Sequence, residues 1–327
     1  MNRWDTIGLG LGLALIAVLA ACVPGQPTAS PALSIGVRTA NDHAPFYIAD
    51  RHKLYAGEGL DVTVQLIPSN TEIIEAIQRG DLQMGAAPVT TAIAAIAQGT
   101  RIKIVAMTGR GSDGLLVRAD SGIARLEDLR GKKIATIRGS ILDVPLRAAL
   151  TDAGLDPEKD VTLVYFSKLG DMIGALKTGQ VDASSNTEPF MTEAVEAGWG
   201  RILLYYTACW PDHPCCVVFV RNDYAQAHPE TVVKALRVHI QAVEWANAHP
   251  HETAEIIVEY MGGSFQVPVV ERSLATDKMR IDHDFTPDEI VRMAQLMHQY
   301  ALIDRVPTAD ELVDTSYLQK AKESLKQ

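Results

Sequence analysis

Short apolar runs recur along this chain, and segments with helical spacing separate them. Residues 33–37 form the first run, and 44–53 reads as a helix. Residues 61–67 alternate as a strand does, while 71–79 carries Ile73, Ile74 and Ile77 on one helical side. Strand-like 82–87, helical 90–98 and strand-like 102–107 follow. The pattern resumes with strand 133–137, helix 141–153, strand 161–166, helix 171–178, strand 180–183, helix 191–197 and strand 201–206. This alternation predicts an α/β fold with parallel sheets covered by helices on both faces. From Pro229 onward the pattern is helical, over 229–248, 252–260, 287–302 and 315–325.

The pattern also repeats. Gly80 and Gly179 close helices ahead of short strands, and Gly99 and Gly198 close the helices that follow; each pair is 99 residues apart. Pro88 and Pro189 fall in the intervening loops. Glycine at a helix C-terminus supplies the left-handed residue needed there. Two similarly built lobes are expected.

The first residues have a different character. An apolar run from Ile7 ends in Leu19-Ala20-Ala21-Cys22, and Val23-Pro24-Gly25-Gln26-Pro27 follows at once. The run is too short to span a bilayer comfortably, and small residues precede the cysteine. It resembles a bacterial lipobox. That resemblance implies a signal peptide over 1–22, a lipidated Cys22, a tether over 23–31, and an extracytoplasmic protein anchored in the membrane by lipid. The plainer reading is a membrane helix with an incidental cysteine.

Composition narrows the partners. A hydrophobic content of 47% supports a sizeable core. The net charge of −10 argues against nucleic acid. About 295 residues remain after the tether, more than one small core needs. No cofactor and no metal ligand set is expected.

An ordered set of motifs resembles the nitrate/sulfonate/taurine-type family of ABC importer solute-binding proteins. They are residues 42–49 (Asp-His-Ala-Pro-Phe-Tyr-Ile-Ala), 58–62 (Glu-Gly-Leu-Asp-Val), 79–85 (Arg-Gly-Asp-Leu-Gln-Met-Gly), 126–135 and 179–183. The resemblance covers residues 33 to about 325. It implies a two-lobed periplasmic-binding-protein fold of type II, each lobe a mainly parallel sheet flanked by helices. Mapped here, lobe 1 is 32–117 plus 216–327 and lobe 2 is 118–215. It further implies a small-molecule ligand in the cleft, a membrane permease as partner, and a monomer.

Ligands of open α/β sheets sit beyond the strand C-termini, beside helix N-termini. Those junctions hold Asp42, His43, Ser69, Pro88 and Thr90 in the first lobe. In the second they hold Arg138, Gly139, Ser140, Asp143 and Glu188, with Trp210 as a stacking surface. Arg138-Gly139-Ser140 suits an anion, combining a cation, close backbone approach and free N–H groups. Ser140 equally reads as a cap of its own helix, and Glu188 as a cap or hinge residue.

Residues 209–216 (Cys-Trp-Pro-Asp-His-Pro-Cys-Cys) read three ways. The thiols are buried and inert at a hinge, or Cys209 and Cys215 form a disulfide, or His213 and the thiols hold a soft metal, although the spacing is not a zinc pattern. Gly109-Arg110-Gly111-Ser112-Asp113-Gly114 reads as a turn, and Asp282-His283-Asp284 as a solvated loop.

The expected function is capture of a small anion of the sulfonate, nitrate or bicarbonate class. Alternatives are a heteroaromatic vitamin precursor of pyrimidine or flavin type, an enzyme of pyrimidine-precursor synthesis, and a metal-dependent hydrolase. A His/Cys/carboxylate cluster in the cleft, with His43 approaching His213 and Cys215, marks the enzyme.

Overall fold

The computed structural model describes residues 32–326, so Cys22 and the signal segment 1–22 and tether 23–31 expected from the sequence lie outside the described residues. Among the described residues are eleven strands: β1 (Leu33–Val37), β2 (Val62–Leu66), β3 (Met84–Pro88), β4 (Ile102–Gly111), β5 (Asp113–Arg118), β6 (Lys133–Thr136), β7 (Thr162–Tyr165), β8 (Ala183–Thr187), β9 (Gly200–Tyr205), β10 (Pro214–Arg221) and β11 (Met279–Arg280).

They form two sheets, ordered β2-β1-β3-β10-β4-β11 and β7-β6-β8-β5-β9. Each has three parallel strands followed by an antiparallel one. In the first sheet β10 runs antiparallel to β3 and β4. In the second β5 runs antiparallel to β8 and β9. The repeat in the sequence is therefore architectural: β8 starts and ends 99 residues after β3. Gly80 and Gly179 both take positive φ, at 89° and 76°.

The chain crosses between sheets twice, at Ser112 and across residues 206–213. The first crossing falls at Ser112, five residues before the boundary at 117 expected from the sequence. β5 looks like a continuation of β4 in sequence, yet its partners are Ala183–Thr187 on one side and Gly200–Tyr205 on the other. Strand pairing is non-local, so apolar patterning does not reveal it.

Local rules account for the helices around these sheets. In Asn70–Arg79, Ser69 Oγ accepts from the Glu72 N–H and Gly80 closes the C-terminus, while Ile73 and Ile77 are buried. Pro287–Gln299 starts with a Thr286–Glu289 capping box. The long helix Pro229–Ala248 buries Val232, Leu236 and Val243 against the first sheet's core. A second cluster of buried side chains draws on both sheets, among them Val89, Met107, Leu116, Ile141, Leu142 and Cys215. The two halves thus share a packed apolar cluster.

Arg110 sets the geometry ahead of the first crossing. It is only 6% exposed. Its guanidinium holds both oxygens of Glu289 at 2.9 Å and Asp282 at 2.8 Å. Asp282 is therefore a partner of a buried arginine and not a loop residue facing solvent.

Two histidines are buried in the first half. His43 shares a hydrogen bond with the Arg38 carbonyl at 2.8 Å, and His239 with the Met107 carbonyl at 2.7 Å. Burial pushes both down to about 4. Between pH 6.5 and 4 the unfolded chain binds more protons than the native one, so stability falls as pH falls through that window. Each histidine contributes on the order of 2 kcal/mol to this loss. In urea titrations, His239→Gln should flatten the decline between pH 6.5 and 4; an unchanged pH slope contradicts the assignment.

Candidate functional site

The site forms where the strand ends of the two halves meet. Asp42 follows β1 in a short 3₁₀ turn (Asn41–His43), whose three residues are all buried. Ser112 links β4 to β5, and Thr187 ends β8. His213 precedes β10, and Cys215 and Cys216 lie at its start. All but Thr187 are fully or almost fully buried.

These groups bind one another. Cys215 Sγ lies 3.6 Å from Asp42 Oδ2, Cys216 Sγ 3.7 Å from the same oxygen, and the two sulfurs 3.7 Å apart. Ser112 Oγ is 3.4 Å from Asp42 Oδ2 and 3.0 Å from Thr187 Oγ1. Asp113 Oδ2 pairs with His213 Nε2 at 3.1 Å. Asp42 Oδ1 has no hydrogen-bond partner, nor has His213 Nδ1.

The backbone is shaped for this convergence. Ser112 stands at φ 71°, a left-handed conformation that costs a non-glycine residue free energy. Its N–H donates to the Lys278 carbonyl, and its own carbonyl accepts from Glu188 N–H and Thr187 Oγ1. Neighbouring residues of a strand ordinarily point to opposite faces. Here the β4–β10 register shifts on both sides of Cys216, and this bulge brings both thiols to one acceptor. Gly109 permits the close approach of Asp42, because a Cβ there would lie 2.0 Å from Asp42 Oδ1.

The electrostatics follow from dryness. Burial, then the neighbouring Asp113 carboxyl, raise Asp42 to about 7. Burial also raises Asp113, partly offset by His213. The contact with Cys216 and burial push Cys215 up. Cys216 rises to about 11: its hydrogen bond with Cys215 is the largest single influence and opposes the rise, but burial together with the Asp42 and Asp113 carboxyls outweighs it. Both thiols are therefore held protonated, the opposite of an activated nucleophile.

The residues picked from sequence fall into three places. Asp42 joins the cluster, and Pro88 sits beside it, opposite Cys216 in the β3–β10 register. Thr90 is fully buried at the start of helix Val89–Ala97, with no partner for its hydroxyl. A second group serves local structure. His43 bonds Arg38, and Ser69 caps Asn70–Arg79. Glu188 accepts from Tyr205 and from the Thr192 N–H, as a cap does. Asp143 holds buried Arg147 at 2.9 Å and accepts from the Gly139 N–H. Ser140 Oγ donates to the Ile137 carbonyl and accepts from Leu142 N–H, while Gly139 supplies a positive φ.

The third group lies apart, lining a groove and a cavity whose walls contain none of the cluster residues. Arg138 is exposed, with its guanidinium 5.5 Å from the Tyr165 ring centre. It lines a groove of about 750 Å³ together with Arg147, Glu158 and Tyr300. Beside it, Trp210 lies 4.3 Å under the Arg292 guanidinium and lines a cavity of about 210 Å³ with Tyr206, Cys209 and Tyr300.

Sequence reasoning missed Ser112, Asp113 and Thr187 as members of the site. Its signals were weak but present: adjacent cysteines entering an apolar strand, and a polar pair inside a glycine-rich link. A His/Cys/carboxylate cluster does exist, but no hydrogen bond joins His43 to His213 or Cys215 among the described residues. The thiols of Cys209, Cys215 and Cys216 are free. Gly109→Ala should lower stability by more than about 2 kcal/mol by displacing Asp42, whereas Gly57→Ala, with open space around it, should stay within about 0.5 kcal/mol. Chemical denaturation compares them; equal midpoints would contradict the close approach at Gly109.

Comparison with known proteins agrees with this architecture. A Bacillus subtilis (strain 168) protein named for binding aliphatic sulfonates is 28% identical over 247 residues, covering 74% of this chain and 71% of that protein. The periplasmic aliphatic sulphonate binding protein SsuA of Escherichia coli superposes with a TM-score of 0.76 at 21% identity, over 87% of this chain and 92% of that one. The periplasmic nitrate-binding protein NrtA of Synechocystis PCC 6803 gives a TM-score of 0.80 at 16% identity, over 91% and 89%. These likenesses give the fold as that of a type II periplasmic binding protein. The family model described as the NMT1-like family matches residues 26–262, most of the chain, and the protein belongs to that family.

Proposed function

We propose that this protein is the extracytoplasmic solute-binding component of an ABC importer, capturing a small anion between two lobes and delivering it unaltered to a membrane permease. The observation that carries this reading is the pair of like-ordered sheets joined by two crossings, with polar groups buried where they meet. Such a body closes about its crossings, and a solute shifts the balance toward closure by its differential affinity. We take the lobes as 32–111 with 214–326, and 113–205.

The relatives named for sulfonate and nitrate binding support an anion of the sulfonate, nitrate or bicarbonate class. Arg138, exposed along the groove, supplies a cation. The raised thiols support binding over covalent catalysis. A flat heteroaromatic solute is the second reading, favoured by Tyr206, Trp210 and Tyr300 around the smaller cavity. Lipid attachment at Cys22 would hold the protein at the outer membrane face, where a permease works.

Thermal-shift measurements test the anion. Nitrate, bicarbonate or an alkanesulfonate at about 100 times its Kd should add about 2.7 kcal/mol and raise the midpoint by several degrees. Arg138→Ala should remove most of that shift. A response to pyrimidines or flavins alone would replace the anion by the second reading, and turnover of the bound solute would overturn transport. Separately, Cys22→Ser should move the protein from the membrane to the soluble fraction; unchanged membrane retention contradicts lipidation.

A further inference from the structure

We infer that Asp42, Cys215 and Cys216 form a binding site for one thiophilic divalent cation of the zinc type at the crossing between the sheets. The three residues offer ligand atoms that all lie within 4.8 Å of one another. Their spacing matches a coordination polyhedron. With zinc–sulfur bonds of about 2.3 Å and zinc–oxygen bonds of about 2.0 Å, a tetrahedron has a sulfur–sulfur edge of about 3.8 Å and sulfur–oxygen edges of about 3.5 Å. The observed edges are 3.7 Å between sulfurs and 3.6 and 3.7 Å from sulfur to Asp42 Oδ2.

Ser112 Oγ marks a fourth corner. It lies 3.4 Å from Asp42 Oδ2 and 3.7 Å from Cys215 Sγ, again close to tetrahedral edges. A weak hydroxyl ligand there leaves the position open to a water or a solute oxygen. The outer ring is also of the right kind. Asp113 Oδ1 lies 3.9 Å from Cys215 Sγ, and its other oxygen pairs with His213, an arrangement that fixes ligand groups from behind.

Independent features point to the same place. The bulge in β10 overrides the alternation that would send two adjacent cysteines to opposite faces. Gly109 is bare where Asp42 approaches, and Ser112 is held in a left-handed conformation. Two thiols make poor hydrogen-bond partners for a buried carboxylate, whereas soft thiolates are strong ligands for zinc-type ions. Binding forms two metal–sulfur bonds and one metal–oxygen bond, and the thiol protons pass to solvent. The net negative charge of the ligand set is then largely neutralised in a dry space. This inference goes beyond the transport reading and does not depend on which solute is carried.

Cobalt(II) is the probe. The purified full chain, reduced and stripped with a chelator, should take up one Co²⁺ per chain. It should then show a near-ultraviolet sulfur-to-cobalt charge-transfer band and the intense visible bands of tetrahedral cobalt, and added Zn²⁺ should bleach both. Cys209→Ser should leave the spectrum unchanged. Cys216→Ser should weaken cobalt binding by more than about 100-fold, and Cys215→Ala/Cys216→Ala should abolish the charge-transfer band, with circular dichroism reporting that each variant is folded. A wild-type chain without the charge-transfer band overturns the inference, whatever the variants do. So does a band that survives in the double variant, which would place the thiolates elsewhere.

Discussion

Two carboxyl groups, two thiols and an imidazole share one dry space between the sheets, and low dielectric penalises any unpaired charge there. That constraint organises the middle of the molecule. Asp42 comes from the 3₁₀ turn after β1, Ser112 from the first crossing, Asp113 from the start of β5, Thr187 from β8, and His213, Cys215 and Cys216 from the return to the first sheet. Each group satisfies another from a different segment. The cluster is therefore a tie between the two halves, in addition to the apolar side chains they share.

The same constraint explains the odd backbone around it. The positive φ of Ser112, the bulge at Cys216 and the bare Cα of Gly109 each cost stability in isolation. They persist because the surroundings over-determine them. Arg110 clamps the end of β4 to Glu289 and Asp282, and the Ser112 backbone is held on both sides by Lys278 and Glu188. A crossing held this firmly on either side and strained at one residue is a natural place for rotation of one half against the other.

Much of the fold was legible because its signals are local. Period-two runs and helical spacing located the strands and the long helices, and 229–248 fell where its apolar spacing put it. The glycines at 80, 99, 179 and 198 revealed the doubled architecture, because only a helix end needs a left-handed residue at that spacing. The pairing of β5 was not legible, since its partners are long-range. Nor was the site as a whole. Asp42 was legible because it follows a strand, but whether the cysteines were inert, bridged or metal-binding was not, because a bulge in β10 decides which way they point. Arg138 was legible by its chemistry yet lies exposed on a groove apart from the cluster, because a helix N-terminus signals an anion without saying where in the molecule it sits.

The central claim is that two halves move about the Ser112 crossing when a solute enters. Electron–electron distance measurements between nitroxide-bearing unnatural residues at Glu75 and Asp171, exposed positions on equivalent helices of the two halves, test it most directly. The account predicts a distance distribution that shifts to a shorter, narrower population when nitrate, bicarbonate or an alkanesulfonate binds. A single distance that no solute alters would contradict it.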